Sequence, residues 1–149
     1  MKICLACSGG GHLSELMQLE EFYRGREHFF LTFRRPNSES LAKSGEMVHF
    51  VSDPGRNPLK LAANIVQSLR IFLKERPDMV LTTGAGVAVP ISYIAKLFGK
   101  KVVYIESFCR VDSASLCGRI MYPISDLFLV QWEEGGRFFP RAVCAGGVF

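Results

Sequence analysis

The stretch Lys2-Ile-Cys-Leu-Ala-Cys-Ser-Gly-Gly-Gly-His12 decides the fold of this chain. Its apolar run predicts a buried strand over Lys2–Cys7, three glycines follow the strand, and a helical pattern opens at His12. Glycines let a backbone approach an anion closely, and the free N–H groups and dipole of the following helix favour negative charge. The candidate phosphate-binding residues of this loop are Ser8, Gly9, Gly10 and Gly11.

Strand-like runs alternate with helical patterns along the rest of the chain. The predicted strands are Lys2–Cys7, His28–Phe33, Met47–Val51, Asp78–Thr82, Lys101–Ile105, Asp126–Val130 and Ala142–Cys144. The predicted helices are Glu15–Tyr23, Pro58–Glu75 and Val87–Phe98. This order is typical of α/β proteins, and no repeat or linker divides residues 1–149. We therefore expect one doubly wound, Rossmann-like domain with a parallel sheet, whose ligand lies at the carboxyl ends of the strands, where the strand order reverses.

The formal net charge of +4 comes from 18 Lys and Arg against 14 Asp and Glu. This excess is small and dispersed, so it favours an anionic substrate or membrane surface and does not indicate nucleic acid. The N-terminus shows neither a signal-peptide pattern nor an apolar helix of bilayer length. We therefore expect a cytoplasmic protein.

The five cysteines are odd in number, which favours reduced thiols over a disulfide framework. Cys4 and Cys7 have the spacing of a redox pair, but they lie within the first predicted strand, where their side chains point to opposite faces. A thioredoxin-type pair instead opens a helix. Redox and zinc chemistry are therefore disfavoured, and no metal site is predicted.

Two residues are candidates for catalysis. His12, at a helix N-terminus, suits a general base for an alcohol, although a helix-capping histidine is an equal alternative. Glu106 follows the fifth predicted strand, where it can bind a sugar hydroxyl, orient His12 or cap the next segment. The second glycine loop, over residues 82–86, makes Gly84 and Gly86 candidates for anion binding, with a tight turn as the alternative.

The first loop only partly matches a dinucleotide fingerprint, because Ser14 stands where the third glycine belongs. Arg34 and Arg35 end the second predicted strand in place of an acidic residue. This weakens NAD binding and leaves NADP binding as an alternative, because an arginine there can pair with a 2′-phosphate.

Apolar and basic side chains mix on two helical segments, which suits a peripheral membrane contact. Part of any apolar stripe must face the sheet, so core packing is the default for each residue taken alone. The candidate membrane contacts are Leu69, Phe72, Leu73, Leu97, Phe98, Lys100 and Lys101.

The C-terminal third contains the block Arg110…Gly118…Tyr122-Pro123…Asp126…Gln131-Trp132. Together with the two glycine loops and Glu106-Ser107, this block resembles the Alg14-like oligosaccharide-biosynthesis family, which includes capsule and exopolysaccharide proteins of the PssD and CpsF type. The likeness covers essentially the whole chain, and the C-terminal block is more specific than any glycine loop.

The resemblance implies the N-terminal, acceptor-side half of a split GT-B glycosyltransferase related to MurG. A second protein then binds the UDP-sugar, and the pair transfers the sugar, with inversion, to a lipid-linked pyrophosphate saccharide at the cytoplasmic face of the membrane. No cofactor or metal is needed in such a scheme. His12 becomes the best candidate for the base, and Arg110 and Arg34 join the glycines as acceptor-phosphate residues.

The chain ends soon after the last predicted strand, so we expect it to be inactive without its partner. We expect no N-terminal membrane anchor of the kind that eukaryotic members have, and we therefore expect peripheral attachment. Trp132, Phe138 and Phe139 are candidate partner contacts if exposed and core residues if buried. The competing hypotheses are a non-catalytic enhancer that recruits a partner transferase to the membrane, and an NADP-binding protein.

Overall fold

One parallel sheet organises the computed structural model, which describes residues 1–148. Its strands are β1 (Lys2–Cys7), β2 (Glu27–Thr32), β3 (Val48–Phe50), β4 (Met79–Gly84), β5 (Lys101–Ile105), β6 (Leu127–Val130) and β7 (Val143–Cys144). Their order across the sheet is β3-β2-β1-β4-β5-β6-β7, and each neighbouring pair is parallel. The order reverses between β1 and β4, which confirms the predicted doubly wound sheet.

Helices cover both faces of the sheet. They are α1 (Gly11–Met17), α2 (Glu20–Tyr23), α3 (Pro36–Lys43), α4 (Pro58–Glu75), α5 (Val89–Leu97) and α6 (Leu116–Met121), with short 3-10 helices at Gly86–Ala88 and Glu133–Arg137. Side chains from α1, α2 and α3 join one apolar cluster, and side chains from α4, α5 and α6 join the other. The sheet therefore has two cores, one on each face.

The central strands are buried on both sides, which explains their continuous apolar sequences. Within β1, Cys4 belongs to the core under α4 and α5, whereas Cys7 belongs to the core under α1. Burial raises the pKa of Cys7 to about 12 and that of Cys4 still further. These two thiols stay protonated at neutral pH, so their spacing reflects packing on opposite faces of a strand.

The predicted helix over Glu15–Tyr23 starts too late and is interrupted, whereas its end at Tyr23 is confirmed. The helix begins at Gly11, and two separate helices, α1 and α2, meet near Leu19. Their junction is a tighter turn, in which the Leu19 N–H donates to the Leu16 carbonyl and the Phe22 N–H donates to the Leu19 carbonyl. The short helices α3 and α6 were not predicted. The helix expected over Val87–Phe98 starts as a 3-10 turn and becomes α-helical at Val89.

The long helix α4 buries three polar side chains, Asn64, Ser68 and Glu75, beside Phe72, and it leaves most of its apolar side chains exposed. Asn64 is fully buried, and its amide donates to the carbonyls of Ser52, at 2.8 Å, and Val87, at 3.4 Å. Ser68, also buried, donates to the Asn64 side-chain oxygen at 2.9 Å. The exposed apolar residues of α4 are Leu59, Leu61, Ile65, Val66, Leu69 and Leu73. Within residues 1–148, no helix has both the length and the apolar character needed to cross a bilayer.

A buried carboxylate ties the end of α4 to the sheet. Glu75 accepts a hydrogen bond of 2.6 Å from Lys2 Nζ, at the start of β1, and its other oxygen lies 2.9 Å from His49 Nε2 in β3. The hydrogen bond from Lys2 holds the pKa of Glu75 below its ordinary value of 4.5, despite the opposing effect of burial. The ionised form therefore stabilises the fold.

We predict that acid destabilises the protein through Glu75. Because the pKa of Glu75 is lower in the folded chain, its contribution is complete above the unfolded-state value and is lost as the pH falls through the folded-state value. Urea denaturation from pH 7 to pH 3 checks this. Glu75→Gln lowers the free energy of unfolding at pH 7 and flattens its decline below about pH 5. Glu133→Gln, at an exposed position, is the control, and equal acid sensitivity in both variants contradicts the prediction.

Candidate functional site

A cleft of about 490 Å³ opens where the strand order reverses, at the carboxyl edge of the sheet. Ligands of open α/β sheets bind at this position, and the volume suits a small molecule. The cleft is bounded by α1 and by the segments that follow β4 and β5. The residues predicted from the sequence that line it are Gly11, His12, Glu106 and Arg110.

His12 lies in the first turn of α1, between the two glycine loops. The Thr83 hydroxyl, near the end of β4, donates to the His12 carbonyl at 2.7 Å and so fixes this turn against the neighbouring strand. A Cβ atom added at Gly84 would lie 3.5 Å from His12 Cε1. The ring nitrogen Nδ1 is buried and, within residues 1–148, has no hydrogen-bond partner. The hydrogen-bonding capacity of this atom is therefore unused in the structure.

The two glycine loops need their glycines for different reasons. Gly10 and Gly84 have positive φ angles of 94° and 108°, which favour glycine. Gly9 packs tightly, because a Cβ there would lie 3.0 Å from Arg35 Cβ. Gly11 borders the cleft, and Gly86 lines a neighbouring groove. The phosphate-binding roles of Ser8 to Gly11, Gly84 and Gly86 stay predictions.

Glu106 lines the cleft, but its carboxylate is already engaged. The Ser115 hydroxyl lies 2.8 and 2.9 Å from its two oxygens, and the Ser107 N–H donates to it at 3.1 Å. The Tyr104 hydroxyl and the Ser115 N–H add weaker bonds of 3.3 Å each. Since Ser115 caps α6 by accepting from the Gly118 N–H, this geometry supports the capping interpretation of Glu106. Its catalytic role stays a prediction.

Glu15 also lines the cleft, although the sequence did not predict it as a site residue. Its side chain is 3% exposed, and Oε1 accepts hydrogen bonds from the Ser107 hydroxyl at 3.0 Å and the Phe108 N–H at 3.1 Å. The Trp132 indole donates to the Phe108 carbonyl at 2.7 Å. A signal was present, because Glu15 follows His12 by three residues and therefore lies on the same helix face.

Two further cleft residues stay protonated at neutral pH. Burial raises the pKa of Cys117 to about 11, and it raises the pKa of Tyr104 well above its usual range. Neither is therefore a nucleophile or base under ordinary conditions. His12 differs from both, because its ring nitrogen Nδ1 has no hydrogen-bond partner among the described residues.

The two predicted phosphate-binding arginines occupy different places. Arg110 is exposed at the mouth of the cleft, where Nη1 lies 3.3 Å from the Ser113 hydroxyl. Arg34 does not line the cleft. Its guanidinium lies over the Phe50 ring, 4.4 Å from the centroid, with Glu39 at 3.7 Å. The structure therefore does not bring Arg34 together with His12.

Two aromatic residues predicted at the surface belong to the core. Phe139, predicted as a partner contact, is 2% exposed, because its ring packs against Phe128 at a centroid distance of 4.5 Å. Phe72, predicted as a membrane contact, is 4% exposed, because it lies on the inward face of α4. Both predictions are wrong. Trp132 is half-buried, and Phe138 is exposed.

Sequence comparison identifies relatives that share one description. The family model "Oligosaccharide biosynthesis protein Alg14 like" matches residues 56–148. The UDP-N-acetylglucosamine transferase subunit ALG14 of Candida albicans is 31% identical over 89% of this chain and 71% of its own length. The protein of the same name from Mus musculus is 42% identical over 54% of this chain, and the match spans only 40% of the mouse protein.

Two solved structures have the same fold. MurG of Acinetobacter baumannii superposes with a TM-score of 0.71 at 17% identity, covering 87% of this chain and 40% of its own. UDP-N-acetylglucosamine 2-epimerase of Rickettsia bellii gives a TM-score of 0.78 at 14% identity, covering 99% and 45%. At these identities the likeness shows the fold alone, and it confirms the predicted GT-B, Rossmann-like class.

We predict that Gly118→Ala destabilises the protein by about 2 kcal/mol, although the same change in a helix ordinarily stabilises by about 1 kcal/mol. The added Cβ would collide with Glu106 Oε2 and lie 3.0 Å from both the Phe139 ring and the Ser115 hydroxyl. Urea denaturation measures the effect. Gly136→Ala is the matched control, because open space surrounds that position. Equal stability of the two variants contradicts the prediction.

Proposed function

The chain belongs to the Alg14-like family of oligosaccharide biosynthesis proteins, and from this premise we propose that it is the acceptor-side subunit of a two-component, inverting glycosyltransferase. The observation that carries the proposal is the cleft at the strand-order reversal, which His12 lines, together with the His12 Nδ1 atom, which has no hydrogen-bond partner among residues 1–148. A group that removes a proton from an acceptor hydroxyl must be within hydrogen-bond reach of that hydroxyl. His12 lines the cleft in which we propose that the acceptor binds.

The names of the relatives support one particular UDP-sugar as the donor. The Candida albicans and Mus musculus proteins are both called UDP-N-acetylglucosamine transferase subunits. We therefore propose that UDP-N-acetylglucosamine is the donor and that a second protein provides its main binding site. These relatives give no support to a capsule or exopolysaccharide product. A lipid-linked pyrophosphate saccharide remains our proposal for the acceptor.

In the proposed reaction, the acceptor hydroxyl attacks the anomeric carbon of the donor sugar while the bond to UDP breaks. His12 takes the hydroxyl proton, and the bonding electrons leave with UDP, so the anomeric configuration inverts. The acceptor pyrophosphate lies on the two glycine loops and near Arg110, whose positive charge favours it. We propose no metal or cofactor, since dipoles and side chains can stabilise the departing UDP.

We further propose that the protein attaches peripherally to the cytoplasmic face of a membrane through α4 and the end of α5. Leu69 and Leu73 are 37% and 53% exposed, and Leu97 and Phe98 are 84% and 54% exposed. Contiguous exposed apolar residues beside basic ones suit a lipid interface. Lys100 and Lys101 lie near this surface, but they pair with Asp78 and Asp126, at 3.3 and 3.5 Å. Their contribution is therefore smaller than that of the apolar side chains.

We predict that sugar transfer needs both proteins and His12. The assay measures transfer from labelled UDP-sugars to a native lipid extract by this chain, by its donor-binding partner and by the pair. We expect transfer of N-acetylglucosamine only when both proteins are present. His12→Ala in the pair reduces the rate about 10²- to 10⁴-fold. His28→Ala, whose ring contacts Arg26 and Glu46 away from the cleft, is the control. Full activity with His12→Ala supports the enhancer hypothesis, and transfer by this chain alone overturns the half-enzyme proposal.

We predict that the double variant Leu69→Ser, Leu73→Ser binds anionic lipid vesicles about tenfold more weakly than the wild type, because it exposes less apolar surface to the lipid. Vesicle flotation measures the bound fraction. Phe22→Ser is the matched control, since Phe22 is 42% exposed on α2, which covers the opposite face of the sheet. Absence of wild-type binding, or an equal loss in the control, contradicts the membrane proposal.

A further inference from the structure

We propose that Glu15 binds the glycan part of the acceptor, with Oε2 accepting a hydrogen bond from a sugar hydroxyl or amide N–H. The same carboxylate uses Oε1 to hold the segment after β5 at the side of the cleft. This inference deepens the proposed function and rests on it. It assigns an orientation to the acceptor, with the glycan toward Glu15 and the pyrophosphate toward Arg110 and the glycine loops.

The two oxygens of Glu15 have different surroundings. Oε1 accepts from the Ser107 hydroxyl and the Phe108 N–H, whereas Oε2 is buried and, among the described residues, has no partner. The side chain as a whole is 3% exposed, so bulk water does not solvate the carboxylate freely. A buried acceptor without a donor costs free energy, and native proteins retain few of them. A donor supplied by a bound ligand removes this cost.

Glu15 and His12 both line the cleft, one helical turn apart, and each has a buried, unpartnered polar atom. Glu106, the other carboxylate of the cleft, differs because donors from the protein already engage both its oxygens. The unused hydrogen-bonding capacity therefore lies on the α1 side. A sugar can meet it with two groups, one donating to Glu15 and a second hydroxyl facing His12.

The charge of a carboxylate restricts what can lie against it. A phosphate beside a carboxylate meets like-charge repulsion, while a neutral hydroxyl or amide N–H meets a strong acceptor. Arg110, at the mouth of the same cleft, favours the opposite kind of ligand group. The cleft is thus divided into an anion-binding part and a part for neutral donors, as a glycosyl diphosphate requires.

The fluorescence of Trp132 can report on the segment that Glu15 holds, independently of sugar transfer. Trp132 is the single tryptophan of the chain, and its indole donates to the Phe108 carbonyl, while the Phe108 N–H donates to Glu15. The Phe108 and Trp132 rings lie 4.8 Å apart. Tryptophan fluorescence therefore reports whether Glu15 still holds this segment, without any need for the partner or for sugar transfer.

The first test compares Glu15→Gln with the wild type in the pair. Glutamine keeps one oxygen for Ser107 and Phe108 but replaces Oε2 with an NH₂ group that cannot accept a hydrogen bond. We expect unchanged Trp132 emission, a KM for the lipid-linked acceptor raised about 10- to 100-fold, and a kcat changed less than threefold. Glu20→Gln is the matched control, because Glu20 is exposed on α2 and pairs with Arg24. An acceptor KM within twofold of wild type, with unchanged emission, overturns the proposal and leaves Glu15 as a structural anchor.

The second test uses the wild-type chain alone, so it holds even if the variant misfolds. Trp132 fluorescence is titrated with N-acetylglucosaminyl diphosphate and with inorganic pyrophosphate. We expect the glycosyl diphosphate to bind at least tenfold more tightly, and equal affinities overturn the assignment of Glu15 to the glycan. Failure of the wild-type pair to transfer sugar refutes the proposed function, whereas these titrations address Glu15 itself.

Discussion

The pairing of β1 with β4 makes neighbours in the sheet of two strands that are far apart in the sequence. Both are buried on both faces, so neither can carry exposed polar side chains along its length. The chemistry of the domain must therefore gather at their carboxyl ends, where the chain leaves toward opposite faces and a crevice opens. The hydrogen bond from Thr83 to the His12 carbonyl closes this junction and fixes where the ring of His12 can lie.

The two carboxylates of the cleft show how burial and hydrogen bonding divide similar groups between different tasks. Glu106 receives its donors from the protein and in return organises the start of α6, close to Gly118. Glu15 receives donors on one oxygen only. A carboxylate whose two oxygens both accept hydrogen bonds from the protein stiffens its surroundings. A carboxylate with one unpaired oxygen can still accept a hydrogen bond from a ligand.

The sequence was sufficient for the sheet and for the edge that carries the site, because buried parallel strands leave continuous apolar runs and glycine loops follow two of them. It was insufficient for the short helices α3 and α6, which form only with tertiary support. The sequence also did not show whether Phe72 faces the sheet or the solvent, because α4 has apolar residues around much of its circumference. Glu15 was missed because its burial and its hydrogen bonds to Ser107 and Phe108 join parts of the chain that are far apart in the sequence.

In α4, the residues that attach the helix to the domain are largely different from the apolar residues that form its outer surface. Its attachment to the domain depends on inward groups such as Asn64, Ser68 and Glu75, which bond to fixed carbonyls, to one another and to a lysine. Its outward leucines and valine contribute little to that attachment, because they remain exposed. Substitutions on the outer face are thus nearly neutral for folding, so the chemistry of this surface can change while the architecture beneath it stays constant.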